Sequence, residues 1–106
     1  MNESEFIALS EFILENIYEI LEENDKDSQL DVEYNDGILE IEIIDQDKKY
    51  VINRNSGNKK IWLSSPFTGA DYFAYNYEQK KWFNDNNIEL GDKLFNELKF
   101  NKINIK

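Results

Sequence analysis

The period of the apolar residues changes twice along this chain, and that change dictates the fold more than any other feature. From residue 5 to 23, Phe6, Leu9, Ile13, Ile17 and Ile20 recur at three- and four-residue steps, which predicts one apolar face of a helix. Glu11, Glu15, Glu19 and Glu22 recur in the same way on the opposite face. Asn2 with Glu5 three positions later forms a capping-box pattern, and "ENDKDS" closes the helix in turn-forming residues. The period then falls to two. Leu30, Val32 and Tyr34 alternate with Asp31 and Glu33, and Leu39, Ile41 and Ile43 alternate with Glu40 and Glu42, so two strands with one wet face are predicted. The "NDG" at 35–37 between them is a hairpin turn, because its glycine tolerates positive φ. Strand-like runs follow at "KYVIN", "KIWLSS", "YFAYN" and "KKWF", and the spacing of Leu90, Leu94 and Leu98 restores a helix from about Ile88. The expected fold is α+β: a two-layer sandwich, with an antiparallel sheet of five to six strands covered on one face by N- and C-terminal helices. Residues 1–106 are expected to form one domain.

Missing residue types narrow the chemistry. The chain has no cysteine and no histidine, which removes thiol nucleophiles, Ser-His and Cys-His pairs, disulfides and zinc sites built on those ligands. An enzyme is not expected. Charge is divided unevenly: residues 1–47 hold sixteen acids and one base, Lys26, whereas residues 48–106 hold six acids and eleven bases. The densest stretch, "EILEENDKDSQLDVE" at 19–33, has seven carboxylates and one lysine. Nucleic acid is an unsuitable partner for such a half, whose charge repels phosphate; a cation or a basic protein suits it. No apolar run approaches the ~20 residues needed to span a bilayer, so no membrane partner is expected. The acidic start "MNESEF" does not resemble a secretory leader, and a cytoplasmic location is expected.

Two constellations bear on binding. Asp25, Asp27, Gln29, Asp31, Glu33 and Asp36 fall at the ligand positions of an EF-hand loop, but Leu30 stands where that loop needs glycine, and a strand replaces the helix that should follow. The EF-hand is therefore rejected. Glu19, Glu22 and Glu23 at the end of the first helix, with Asp31 and Glu33 on the strand after it, would form one acidic ridge if helix and strand lie side by side. Their oxygens suit hard cations, while a solvated face remains the alternative. Within "KKIWLSSP", Ile61 and Leu63 take the core side, which turns Trp62 outward; an outward tryptophan is common at interfaces. Asn53 would lie on the same face.

"MNESEF" before an acidic helix, "VIN" followed by arginine, "NKKIWLSSP", an aromatic run, "KKWF" and a closing helix together resemble the frataxin family over essentially the whole chain, and within it the bacterial, CyaY-type branch. The resemblance implies an α-β-α sandwich and an iron-binding protein, a donor or regulator, of iron–sulfur cluster assembly. It implies weak binding of Fe²⁺ and Fe³⁺ on the ridge, carried here by Glu19, Glu22, Glu23, Asp25, Asp27, Asp31 and Glu33. The implied partners are cysteine desulfurase and the iron–sulfur scaffold protein, met in part through Asn53, Lys60 and Trp62, with the chain a monomer in the absence of iron. Gln29 stands where bacterial relatives often carry another acid. Asn55 and Lys60 replace usual glutamines, and Ala74 stands where aspartate is common. Two rivals remain. An acidic inhibitor of a basic enzyme would explain the ridge without a metal but not the outward Trp62, and a ferroxidase would need converging carboxylates and histidine.

Overall fold

The computed structural model describes residues 1–105. Helix α1 runs Glu3–Asn24, and Asn2 caps it by accepting from the Glu5 amide at 2.8 Å. The box is only half made: the Glu5 carboxylate instead accepts from the Tyr77 hydroxyl at 2.8 Å. Six strands follow as β1 Leu30–Asn35, β2 Ile38–Ile43, β3 Lys48–Asn55, β4 Lys60–Ser65, β5 Gly69–Asn76 and β6 Lys81–Phe83, and helix α2 spans Leu90–Phe100. Each strand pairs antiparallel with the next, so sheet order equals chain order. At the β1–β2 turn both Asp36 (φ 49°) and Gly37 (φ 76°) adopt left-handed conformations, the condition a tight two-residue hairpin imposes.

Alternation does what the sequence predicts. Leu39, Ile41 and Ile43 of β2, Tyr50 and Ile52 of β3, Ile61 and Leu63 of β4, and Phe73 of β5 all face inward and are buried. They meet Leu90, Leu94 and Leu98 of α2 in one apolar cluster. The face of α1 differs from the expectation. The buried stripe is Phe6, Ser10, Leu14, Ile17 and Leu21, while Leu9 and Ile13 pack on its flank and Ile20 lines a cleft against α2 and the C-terminal segment. A stripe chosen from apolar residues alone skips Ser10, whose hydroxyl is satisfied by the Ile7 carbonyl at 3.1 Å; that internal bond lets a polar side chain sit at the centre of the packed face.

A carboxylate fixes α2 on the sheet. Glu97 Oε1 accepts from the hydroxyls of Tyr50 (3.0 Å) and Ser65 (2.6 Å), and Oε2 from Thr68 (2.7 Å). Burial and the neighbouring Glu97 charge push the Tyr50 phenol far above its ordinary range. One turn earlier, Lys93 lies 3.0 Å from Asp71, which also accepts from Asn84 at 2.8 Å and from the Tyr72 amide at 2.9 Å. Burial pushes the Asp71 carboxyl up, but those hydrogen bonds outweigh it and leave it below the usual carboxylate value.

Candidate functional site: two surfaces of one sheet

The seven ridge carboxylates divide into three settings. Glu19, Glu22 and Glu23 are exposed at the C-terminal end of α1. Asp25 is built into the loop, because its two oxygens accept from the amides of Gln29 and Leu30, each at 2.9 Å; Asp27 is exposed beside it. Asp31 and Glu33 are exposed on β1, but alternation sends them to the face of the sheet opposite the helices, since Leu30, Val32 and Tyr34 take the inner side. The strand does lie beside the helix, yet the acids wrap around the sheet edge rather than covering one plane. Higher on α1, Glu11 pairs with Arg54 of β3 at 3.0 Å. Gln29 plays a structural part, since its side-chain oxygen accepts from the Asn104 amide at 3.0 Å and holds the C-terminal segment.

Strand register brings in two acids that the ridge did not include. Asp31 stands opposite Glu42 and Glu33 opposite Glu40. These four and Lys49 of β3 line one recess of about 100 Å³. Lys49 reaches Glu40 at 3.0 Å, and hydrogen bonding to Glu40 together with the charges of Glu42 and Glu33 holds its ammonium above the usual lysine range. Alternation in β2 marks Glu40 and Glu42 as wet, and the two-residue turn at Asp36 and Gly37 sets the register that places them beside Asp31 and Glu33. Among the described residues no three carboxylates converge closely enough to enclose one metal ion.

Beside that recess the outer face carries a row without charge. Ile38, Asn53, Trp62 and Tyr72 are successive cross-strand partners on β2, β3, β4 and β5. Ile38 and Tyr72 are exposed. Trp62 faces outward as expected but is half-buried, lying in a groove of about 480 Å³ with Asn53, Asn55, Ser56 and Tyr72. Both Asn53 Oδ1 and Trp62 Nε1 are covered and have no hydrogen-bond partner among the described residues, an arrangement that costs free energy for each atom. Asn55, Lys60 and Ala74, the three departures from the family pattern, are themselves successive partners in the adjoining row.

The fold is an acidic-edged α-β sandwich whose bare outer sheet carries two chemically distinct surfaces. The model of the frataxin-like domain matches residues 1–102. An iron–sulfur cluster assembly protein CyaY from Thioalkalivibrio sulfidiphilus is 34% identical over 98 residues, covering 92% of this chain and 87% of the relative. A mitochondrial frataxin from Dictyostelium discoideum is 42% identical over 64 residues, 60% of this chain and 33% of that longer protein. Among solved structures, a frataxin of the CyaY family from Psychromonas ingrahamii superposes with a TM-score of 0.84 at 28% identity, covering 100% of this chain and 97% of that one. A trimeric frataxin from the yeast Saccharomyces cerevisiae, complexed with ferrous iron, gives 0.66 at 30% identity, with 94% and 85% covered. The chain belongs to the frataxin family.

Proposed function

We propose that this protein carries iron as weakly held cargo on its exposed carboxylates and serves or regulates iron–sulfur cluster assembly by binding cysteine desulfurase and the scaffold protein. The observation that carries this reading is the segregation of the two surfaces: acids gather at the end of α1 and around the β1 edge, while Trp62 and its row lie on the middle of the outer sheet. Ferrous and ferric iron are hard enough to take oxygen ligands, and carboxylates that do not converge bind a cation weakly and release it readily. Ridge residues Glu19, Glu22, Glu23, Asp27, Asp31 and Glu33 are the proposed donors; Asp25 would contribute only by giving up its two loop amides. The same acids steer a basic face of the desulfurase toward α1. Asn53, Lys60 and Trp62 are proposed to meet the scaffold, and a partner that lifts the indole gives Trp62 Nε1 and Asn53 Oδ1 the hydrogen bonds they lack. No membrane-spanning helix is present among the described residues; a cytoplasmic, iron-free monomer is part of the proposal, and the chain itself performs no chemistry.

Calorimetric titration of two variants tests this. Glu19, Glu22 and Glu23 changed together to lysine should abolish iron binding on α1 and weaken desulfurase binding in a salt-dependent way. Trp62→Ala should leave both intact and weaken binding to the scaffold–desulfurase complex by about thirtyfold, the loss expected for a truncated interfacial indole. A Trp62→Ala protein that binds every partner unchanged would deny the second surface a function.

A further inference from the structure

Asn53 and Trp62 stand opposite each other in the β3–β4 register and line the groove of the outer sheet together with Tyr72. Side by side they hold one unmet acceptor, Asn53 Oδ1, and one unmet donor, Trp62 Nε1, both covered. Atoms left in this state cost the free protein stability, and a ligand that supplies both bonds recovers it. The chemistry such a ligand needs is defined on one side: an indole only donates, so its partner must be an acceptor. Charge around the groove defines the rest. The acids of the outer face, Asp31, Glu33, Glu40 and Glu42, belong to β1 and β2, and Lys49 beside them is already paired with Glu40. Lys60 belongs to β4 and lies two residues from Trp62 on the same side of the strand, so the two side chains emerge about 7 Å apart. Its cross-strand partners are Asn55 and Ala74, neither of which is charged. No ion pair among the described residues includes Lys60. Lys81 of the edge strand β6 is exposed on the same face; a lysine there also guards an open edge, so it adds to the field without being assigned a contact.

We infer that the groove takes an acidic segment of a protein partner. One carboxylate of that segment accepts from the Trp62 indole N–H while the Lys60 ammonium neutralises it, and a main-chain N–H of the same segment donates to Asn53 Oδ1. This names the chemistry of the partner on the Trp62 surface and rests on the proposed role of that surface in partner binding. A charged acceptor makes the stronger bond to the indole. The acids of β1 and β2 set the direction of the segment, because they repel its acidic end toward β4. Nucleic acid offers negative charge too, but it brings many phosphates to a chain whose net charge is −10. A short acidic segment brings only one or two charges.

The indole N–H signals of ¹⁵N-labelled protein test the inference. The chain has two tryptophans, and Trp82, buried in the core, is the internal control. The probes are a blocked short peptide containing aspartate and glutamate, and its twin with asparagine and glutamine in their place. At millimolar concentration the acidic peptide should move the Trp62 indole signal downfield and leave that of Trp82 in place, and the neutral twin should do neither. Lys60→Gln should raise the midpoint roughly two- to fivefold, the loss expected for one exposed ion pair, and high salt should erase that difference. Lys99→Gln, on α2 in the other layer, has the same effect on net charge and should leave the midpoint unchanged. An equal response to the neutral twin, no response to the acidic peptide, or equal effects of Lys60→Gln and Lys99→Gln would each overturn the inference. So would an oligothymidylate that moves the Trp62 signal at lower concentration than the acidic peptide, which would assign the groove to nucleic acid. The desulfurase–scaffold complex, titrated in the same way, separates this inference from the reading beneath it. A Trp62 response to the complex but not to the peptide leaves partner binding standing and removes the carboxylate. A response to the peptide but not to the complex keeps the carboxylate site and removes that partner.

Discussion

The two tryptophans of this chain make opposite uses of the same side chain. Trp82 is buried and packs edge-on against Phe6 at 5.9 Å and at a steep tilt to Tyr75 at 5.2 Å, whereas Trp62 rests half-covered on the outer sheet. Trp82→Ala should cost about 3–5 kcal/mol, as expected for a large core cavity, and Trp62→Ala only about 1 kcal/mol. Urea denaturation of both variants checks this; comparable losses would mean that the Trp62 indole belongs to the core. Asp71 gives a prediction with a sign. Its folded-state carboxyl lies below the ordinary 3.8, so its contribution to stability is present above that value and lost as pH falls through the folded value. Asp71→Asn should therefore destabilise at pH 7, and the gap to the unmodified protein should close as pH drops below about 4. A gap that persists at pH 2 would show that the Lys93 and Asn84 contacts do not depend on the charge.

Elements were legible to the extent that their signals are local. Both helices, all six strands and the "NDG" turn follow from period and turn chemistry, because each depends on residues a few positions apart. The outward direction of Trp62 followed in the same way from its buried neighbours Ile61 and Leu63. The side of α1 that packs was misjudged by one column of residues, since apolarity alone does not reveal that Ser10 can satisfy its own hydroxyl. Sequence places Asp31 and Glu33 near the helix but does not say across which edge of the sheet they turn. Glu40 and Glu42 lie within reach of local reasoning, because the two-residue turn at Asp36 and Gly37 fixes the β1–β2 register that sets them opposite Glu33 and Asp31. By contrast, nothing local marks Glu97, since the three hydroxyls that meet it come from Tyr50, Ser65 and Thr68, far away in the chain. Removing that carboxylate, as in Glu97→Ala, should cost roughly 2–4 kcal/mol by orphaning part-buried donors, and thermal unfolding measures it. A loss below about 0.5 kcal/mol, the range of neutral surface changes, would mean that α2 docks through Leu90, Leu94 and Leu98 alone.

At the scale of the molecule, a net charge of −10 in 106 residues, concentrated in the first half, sets stability and partner choice together. Self-repulsion within α1, β1 and β2 opposes folding, so added salt should raise the melting temperature at pH 7, and a divalent cation should do so at far lower concentration by binding the folded state. A melting temperature indifferent to both would deny that the crowded acids strain the fold. Under the proposed function the same charge divides the labour, with cations drawn to the α1 end and the β1 edge and a protein partner left to the Trp62 row. Anaerobic titration of Fe²⁺ into ¹⁵N-labelled protein tests that division most directly. Amides within residues 15–33 should be perturbed, with Asn53, Trp62 and Tyr72 nearly unchanged. Perturbation spread evenly over both surfaces would contradict it.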